Sequence, residues 1–239
     1  MPRSRKRHRQ AALDFRTWGG RRAGAGRPQV NERKSQPHRT RPRVSPSNVI
    51  HVSLRVAEDV SRLRRRDAYS AVRKAMQVVL GRADFRIVHA SIQANHVHLL
   101  GEADHKYALA RGLQAFQISA AKRLNQAQER HTGERRSGRV FPDRYHAEII
   151  DTPRRARHAL AYVLNNWRRH REDRAPGTRT WKLDRYSSAI DFPGWDEGSK
   201  WLVPDDHERL PVCTPQTWLL REGWKMHGTL SVYEVPGKR

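Results

Sequence analysis

The 239-residue chain carries 48 Lys and Arg against 24 Asp and Glu, a formal net charge of +24, and one cysteine. Charge of that size makes a folded chain repel itself unless a polyanion neutralises part of the field, so nucleic acid is the expected partner. A single Cys213 rules out an internal disulfide and a thiolate zinc cluster. No apolar run approaches the ~18 residues of a spanning helix and no secretory leader is recognisable, so the protein is expected to be soluble and cytoplasmic, with no membrane partner.

Residues 1–46 hold fourteen Lys or Arg against two acids, with Gly-Gly-Arg-Arg-Ala-Gly-Ala-Gly-Arg-Pro at 19–28 and no apolar periodicity. This composition predicts a disordered basic arm in which Arg21 and Arg22 could contact DNA phosphates; a solvated tail is the plain alternative. From Asn48 the pattern changes to alternation, with Ile50, Val52, Leu54 and Val56 on one side of a strand and His51, Ser53 and Arg55 on the other. Ala68, Val72, Ala75, Met76, Val79 and Leu80 recur at helical spacing, and Gly81 is a plausible stop. Phe85 to Ile92 and His96 to Glu102 read as two strands of a hairpin joined at Ala94-Asn95.

Lys106 to Gln128 predicts a long helix with Leu109, Leu113, Phe116, Ala120 and Leu124 as its apolar stripe. After a polar loop at 131–138, Val140 to Ile150 predicts a fourth strand. Thr152-Pro153 then offers an N-cap and a first-turn proline, opening a third helix to about Arg171. The order β-α-β-β-α-β-α points to an α+β fold: a ferredoxin-like antiparallel sheet with helices on one face and the other face left for function. Beyond Asp173 the chain is interrupted by Pro and Gly and holds five of the seven tryptophans, Trp181, Trp195, Trp201, Trp218 and Trp224. This predicts a small C-terminal extension over 174–239 beyond a domain at 47–173, with a last helix opened by Thr214-Pro215 and closed by Gly228. Its tryptophans could pack the extension or stack on unpaired bases.

Within the third strand, His96-Val97-His98 places two imidazoles on one face, where together they can chelate a divalent ion. Thirteen histidines give about 0.7 such triplets by chance, so the motif alone carries little. The third helix adds company. Tyr162 and Asn166 are four residues apart and share a helical face, so an amide oxygen can sit beside a phenol hydroxyl as a third metal ligand. Arg155, Arg157, Arg168 and Arg169 surround them, and Arg144 lies in the fourth strand segment; all five are candidate phosphate contacts. Tyr145, beside Arg144 and His146, competes as nucleophile. His89 and His51 could share the sheet surface of the pair, with core-edge or DNA-contact roles open, and His158 lies one turn before Tyr162.

Asn-His-Val-His-Leu-Leu after a β-α-β start, then Arg-Val-Phe-Pro-Asp-Arg-Tyr-His, then Ala-Tyr-Val-Leu-Asn-Asn in a helix, resembles the small single-tyrosine HUH transposases. The REP-associated tyrosine transposases are the nearest in character, and the similarity covers roughly residues 45–172. The resemblance implies bacterial, nucleoid-associated enzymes that cut and rejoin single-stranded DNA near hairpins with Mg²⁺ or Mn²⁺. It implies that His96 and His98 bind the metal with Asn166 as third ligand, and that Tyr162 attacks phosphorus to give a 5′-phosphotyrosine and a free 3′-hydroxyl. One departure is visible: members often carry Asn-Pro after the tyrosine segment, where this chain has Asn166-Trp167, so the helix can run on. A homodimer or a monomer is compatible with the resemblance, and a non-catalytic or domesticated DNA-binding protein of the same fold is the rival reading.

Overall fold

The computed structural model describes residues 43–237 except 177, 179, 181 and 199–206. Of the arm expected over 1–46, residues 1–42, Arg21 and Arg22 included, lie outside the described residues, as do Trp181 and Trp201, while Val44 is buried in the core. β1 (Val49–Arg55), α1 (Arg66–Leu80), β2 (Phe85–Ile92), β3 (His96–Ala103), α2 (Lys106–Thr132), β4 (His146–Ile150) and α3 (Pro153–Arg169) follow in the expected order. The sheet runs β2-β3-β1-β4 and each neighbouring pair is antiparallel. Each crossover, β1-α1-β2 and β3-α2-β4, therefore vaults one strand, which is the ferredoxin-like α+β arrangement.

The alternation in β1 sets the two faces. Ile50, Val52, Leu54 and Val56 are buried against Val72, Ala75, Met76 and Val79 of α1 and Leu109, Leu113, Phe116 and Ala120 of α2. Each full burial of such a side chain stabilises by roughly 1.5–3 kcal/mol. Gly112 lets α2 press onto the sheet, since a Cβ there would lie 2.2 Å from the Phe85 ring. Two ends of α2 are capped as its length requires: the His105 side chain accepts from Ala108 N–H, and Gly133 closes the helix in the left-handed region at φ 75°.

Helices on one face describes α1 and α2. α3 lies across the other face, where Ala156, Ala159, Leu160, Val163 and Leu164 cover Val49, Val88, Leu100 and Ile150. The physical reason is that this face is polar only at one end, and a helix with its own apolar stripe needs the apolar end. Thr152 caps α3 through Arg155 N–H, with Pro153 in the first turn, as the sequence predicts. Past Asp173 the chain wraps α3: Leu183, Phe192, Trp195, Leu219, Leu220, Trp224, Leu230 and Val232 form its outer wall. Trp195 and Trp224 thus serve packing, while Trp218 is 56% exposed.

Two buried polar anchors hold this wall. Arg64 donates two hydrogen bonds to Asp184, at 2.9 and 2.8 Å, and a third to Ile92 O. Glu102 accepts from Gln216 N–H, Thr217 N–H, the Thr217 hydroxyl and Arg86 Nε. Two expected elements are corrected. The fourth strand starts at His146 rather than Val140, because Val140 turns its carbonyl to Ala57 N–H and its side chain into the core. The last helix, α4 (Trp218–Arg221), is opened by Thr217 rather than Thr214-Pro215, since Thr217 accepts from Leu220 N–H while held by Glu102. It loosens into a tighter 3₁₀ turn at Gly223–His227, and Gly228 follows as expected.

Candidate active site

Strand register builds the polar end of the second sheet face. Ser53 of β1 stands opposite both His98 of β3 and His146 of β4, and His98 stands opposite Ser91 of β2. Directly opposed residues share a face, so one lateral row, His146-Ser53-His98-Ser91, crosses all four strands. His51 and His96 lie one alternation away on the same face. The His96 and His98 rings meet edge to face with centroids 4.6 Å apart. His51 Nε2 lies 3.2 Å from His98 Nδ1.

α3 brings the tyrosine over this row. The Tyr162 ring is edge-on to His98 at 5.1 Å and to His51 at 5.6 Å between centroids, with the Arg169 guanidinium 5.5 Å from its own centroid. Two turns on, His170 meets His96 at 5.5 Å. Asn166 falls between them on the same stripe, one turn from each. It is fully buried, and neither Oδ1 nor Nδ2 has a hydrogen-bond partner among the described residues. A buried amide left with both ends open costs about 1–3 kcal/mol, so it needs an explanation. Burial, with the His170 and Arg55 charges adding to it, pushes the His96 pKa down to about 4. His96 is therefore neutral near pH 7, the form in which an imidazole offers a lone pair.

A family model for IS200-like transposases matches residues 45–166, just over half the chain. The chain belongs to the IS200-like transposase family. Among solved structures it is similar to a REP-associated tyrosine transposase bound to a REP hairpin, at 14% identity and TM-score 0.44 over 70% of this chain and 100% of that one. It is also similar to a putative transposase from Deinococcus radiodurans, at 15% identity and TM-score 0.33 over 49% of this chain and 86% of that one. No curated protein matches.

In this IS200-like transposase the sequence-predicted residues His96, His98 and Tyr162 are brought together, Asn166 lies buried one turn after Tyr162 on α3, and the helix runs past it to Arg169 where a proline would have stopped it. Tyr145 is not among them: its ring packs into the α1 and α2 core on the opposite face. His158 is exposed, and His89 is buried between Ser188 and Phe192, where burial pushes its pKa to about 4.

The arginines divide into two groups. Arg157 donates to Glu234 and to the Gly228 and Thr229 carbonyls, and Arg168 to Val232 O, Lys182 O and Asp173. Both are spent on binding the C-terminal wall to α3, which sequence reasoning had assigned to DNA. Arg155 bonds Glu148 and Asp151 yet stays 41% exposed, and Arg169 holds Gly237 O beside Tyr162. Arg144 is exposed at a depression of about 310 Å³ that Arg139, Phe141 and Gln117 also line. The sequence reading favours a core-edge or DNA-contact role for His51 and passes over His170. Both carried a signal, since His51 is out of phase with the apolar residues of β1 and His170 lies four residues after Asn166.

No helix among the described residues is long and apolar enough to cross a membrane.

Proposed function

We propose that this IS200-like transposase cuts and rejoins single-stranded DNA through Tyr162, at sites associated with hairpins. The observation that carries the reading is the Tyr162 ring seated against His98, with the unsatisfied Asn166 amide one turn away. Among the described residues no group of three His, Cys, Asp or Glu is placed to hold a metal. The donor set that does fit is mixed: the two imidazoles of His96 and His98 and the amide oxygen of Asn166. When bound there, a hard divalent cation such as Mg²⁺ or Mn²⁺ supplies polarisation of the scissile phosphate.

The residues do the rest. α3 fixes the phenol over the sheet, so attack needs no search for geometry. The Tyr162 oxygen bonds to phosphorus, its proton leaves, and the bond from phosphorus to the 3′ oxygen breaks, giving a 5′-phosphotyrosine and a protonated 3′-hydroxyl. A 3′-hydroxyl of another strand can reverse the step, so bond energy is conserved without a nucleotide cofactor. Arg169 beside the ring, Arg155 two turns before Tyr162 on α3 and Arg144 at its separate depression supply the phosphate contacts of this reading.

The test is to incubate the protein with single-stranded oligonucleotides from the flanks of its gene, with Mn²⁺ or with EDTA. A denaturation-resistant protein-DNA adduct is expected with Mn²⁺ and none with EDTA. Tight binding with no adduct on any flank would favour a DNA-binding protein that has lost the chemistry.

The third ligand has its own expected result. Asn166→Ala should leave metal-free stability within about 1 kcal/mol of wild type, because relief of the unsatisfied amide offsets the lost packing. Urea unfolding with Mn²⁺ then separates the two proteins. Wild type should gain about 2.7 kcal/mol at a hundredfold excess over its Kd, and the variant should gain little at that concentration. Equal gains would remove Asn166 from the ligand set.

A further inference from the structure

His51 has no part in the ligand set, yet the fold places it between the two halves of the chemistry. It sits on β1, bonded to β3 on one side and β4 on the other, so its backbone is among the most constrained in the sheet. Its side chain is 4% exposed. Nε2 lies 3.2 Å from His98 Nδ1, and the two ring planes are inclined by only 22°. At that inclination a ring N–H and a ring lone pair can meet close to one plane, the geometry a hydrogen bond between imidazoles needs. The same His51 ring meets Tyr162 at its edge, 5.6 Å between centroids and 73° between planes. One buried imidazole is thereby in contact with both His98 and the tyrosine.

Two imidazoles in hydrogen bond must divide one proton between them, so one nitrogen donates and the other accepts. A histidine that ligates through Nε2 carries its proton on Nδ1, and the partner of that N–H sets the tautomer and the ring orientation. We propose that His51 is a positioning residue: its Nε2 accepts from His98 Nδ1–H, holding His98 in the tautomer whose Nε2 keeps the lone pair for a divalent cation, while its ring edge fixes Tyr162. The inference rests on the metal reading of His96, His98 and Asn166 given above and names what orients that site. His96 has its own orienting contact, Nδ1 at 2.7 Å from Asn95 Oδ1. Each ligating imidazole is thus held through its δ nitrogen, one by a neighbouring amide and the other by a buried histidine on the next strand.

Two measurements test it. Long-range ¹⁵N–¹H correlation on the metal-free wild-type protein reads the His98 tautomer directly, without a variant that must fold. Protonation at Nδ1 is the expected result, and protonation at Nε2 overturns the proposal. Mn²⁺ affinity by calorimetry is then compared between wild type, His51→Phe and His51→Gln. Phe keeps the ring shape and the contact with Tyr162 but cannot accept, so a 10–100-fold loss of affinity is expected. The Gln amide oxygen can accept, and recovery to within about threefold of wild type is expected, a rescue that packing alone would not give. His51→Phe binding Mn²⁺ as tightly as wild type overturns this proposal and leaves the metal reading standing. Wild-type protein that takes up no Mn²⁺ overturns the metal reading and this one with it.

Discussion

Tyr162→Phe is expected to lose covalent adduct formation on single-stranded DNA by on the order of a thousandfold or more, while keeping DNA affinity within a few-fold of wild type. Removal of a nucleophile costs the whole covalent route, and the residual rate is what binding and polarisation alone provide. The substitution removes only the hydroxyl. The ring contacts with His98 at 5.1 Å and His51 at 5.6 Å, and the Arg169 guanidinium above it, survive in Phe, so the site should stay assembled. Tyr145→Phe is the matched control. That side chain is 9% exposed and belongs to the core beneath α1 and α2, so the adduct should persist at near wild-type yield. An adduct that survives in Tyr162→Phe, or disappears in Tyr145→Phe with the fold intact, would sink the nucleophile assignment. Mass spectrometry of the trapped peptide reads which tyrosine carries the nucleotide.

Asp184→Ala should destabilise the protein by about 3 kcal/mol, because it strips the buried Arg64 guanidinium of both its hydrogen-bonded carboxylate oxygens and leaves only Glu172, 3.8 Å from Nε, as counter-charge. The pair is bidentate, with side-chain exposures of 3% and 0%. For a chain of this size the loss corresponds to a fall in melting temperature on the order of 10 °C. Replacing both partners, Arg64→Met with Asp184→Leu, should recover most of it, since an apolar pair leaves no charge stranded. The effect also reaches the site. Tyr186, two residues on, accepts from Ile92 N–H through its carbonyl, and Ser187 bridges Ser91, the residue opposite His98. An unfolding free energy in Asp184→Ala within about 1 kcal/mol of wild type would show that the clamp is dispensable.

Period-2 alternation in β1 and β3 and the 3.6-residue spacing of Tyr162 and Asn166 were legible because they depend on neighbours in sequence. The Thr152-Pro153 start of α3 was legible for the same reason. The lost half of the fourth strand was not: Val140 has strand character, but its carbonyl is taken by Ala57, more than eighty residues earlier in the chain. Thr214-Pro215 is a sound local signal for a helix start, overruled by Glu102, whose carboxylate is 115 residues from the Thr217 it holds. The intramolecular partners of the α3 arginines were not legible either. Nothing in the helix distinguishes Arg155 from Arg157, and it is the Gly228 and Thr229 carbonyls and the Glu234 carboxylate, which arrive from the far end of the chain, that engage Arg157.

The wall formed by Leu183, Phe192, Trp195, Leu219, Leu220, Trp224, Leu230 and Val232 separates two units that are easily confused. The recurring family unit ends at residue 166, within α3, but the folding unit of this chain does not. The helix that carries Tyr162 is covered on its outer side by residues beyond the matched stretch. A fragment trimmed to the shared portion would lose that wall and leave apolar surface of α3 uncovered, which favours association with other chains. The smallest piece expected to keep α3 covered on both sides is therefore close to the whole of the described fold.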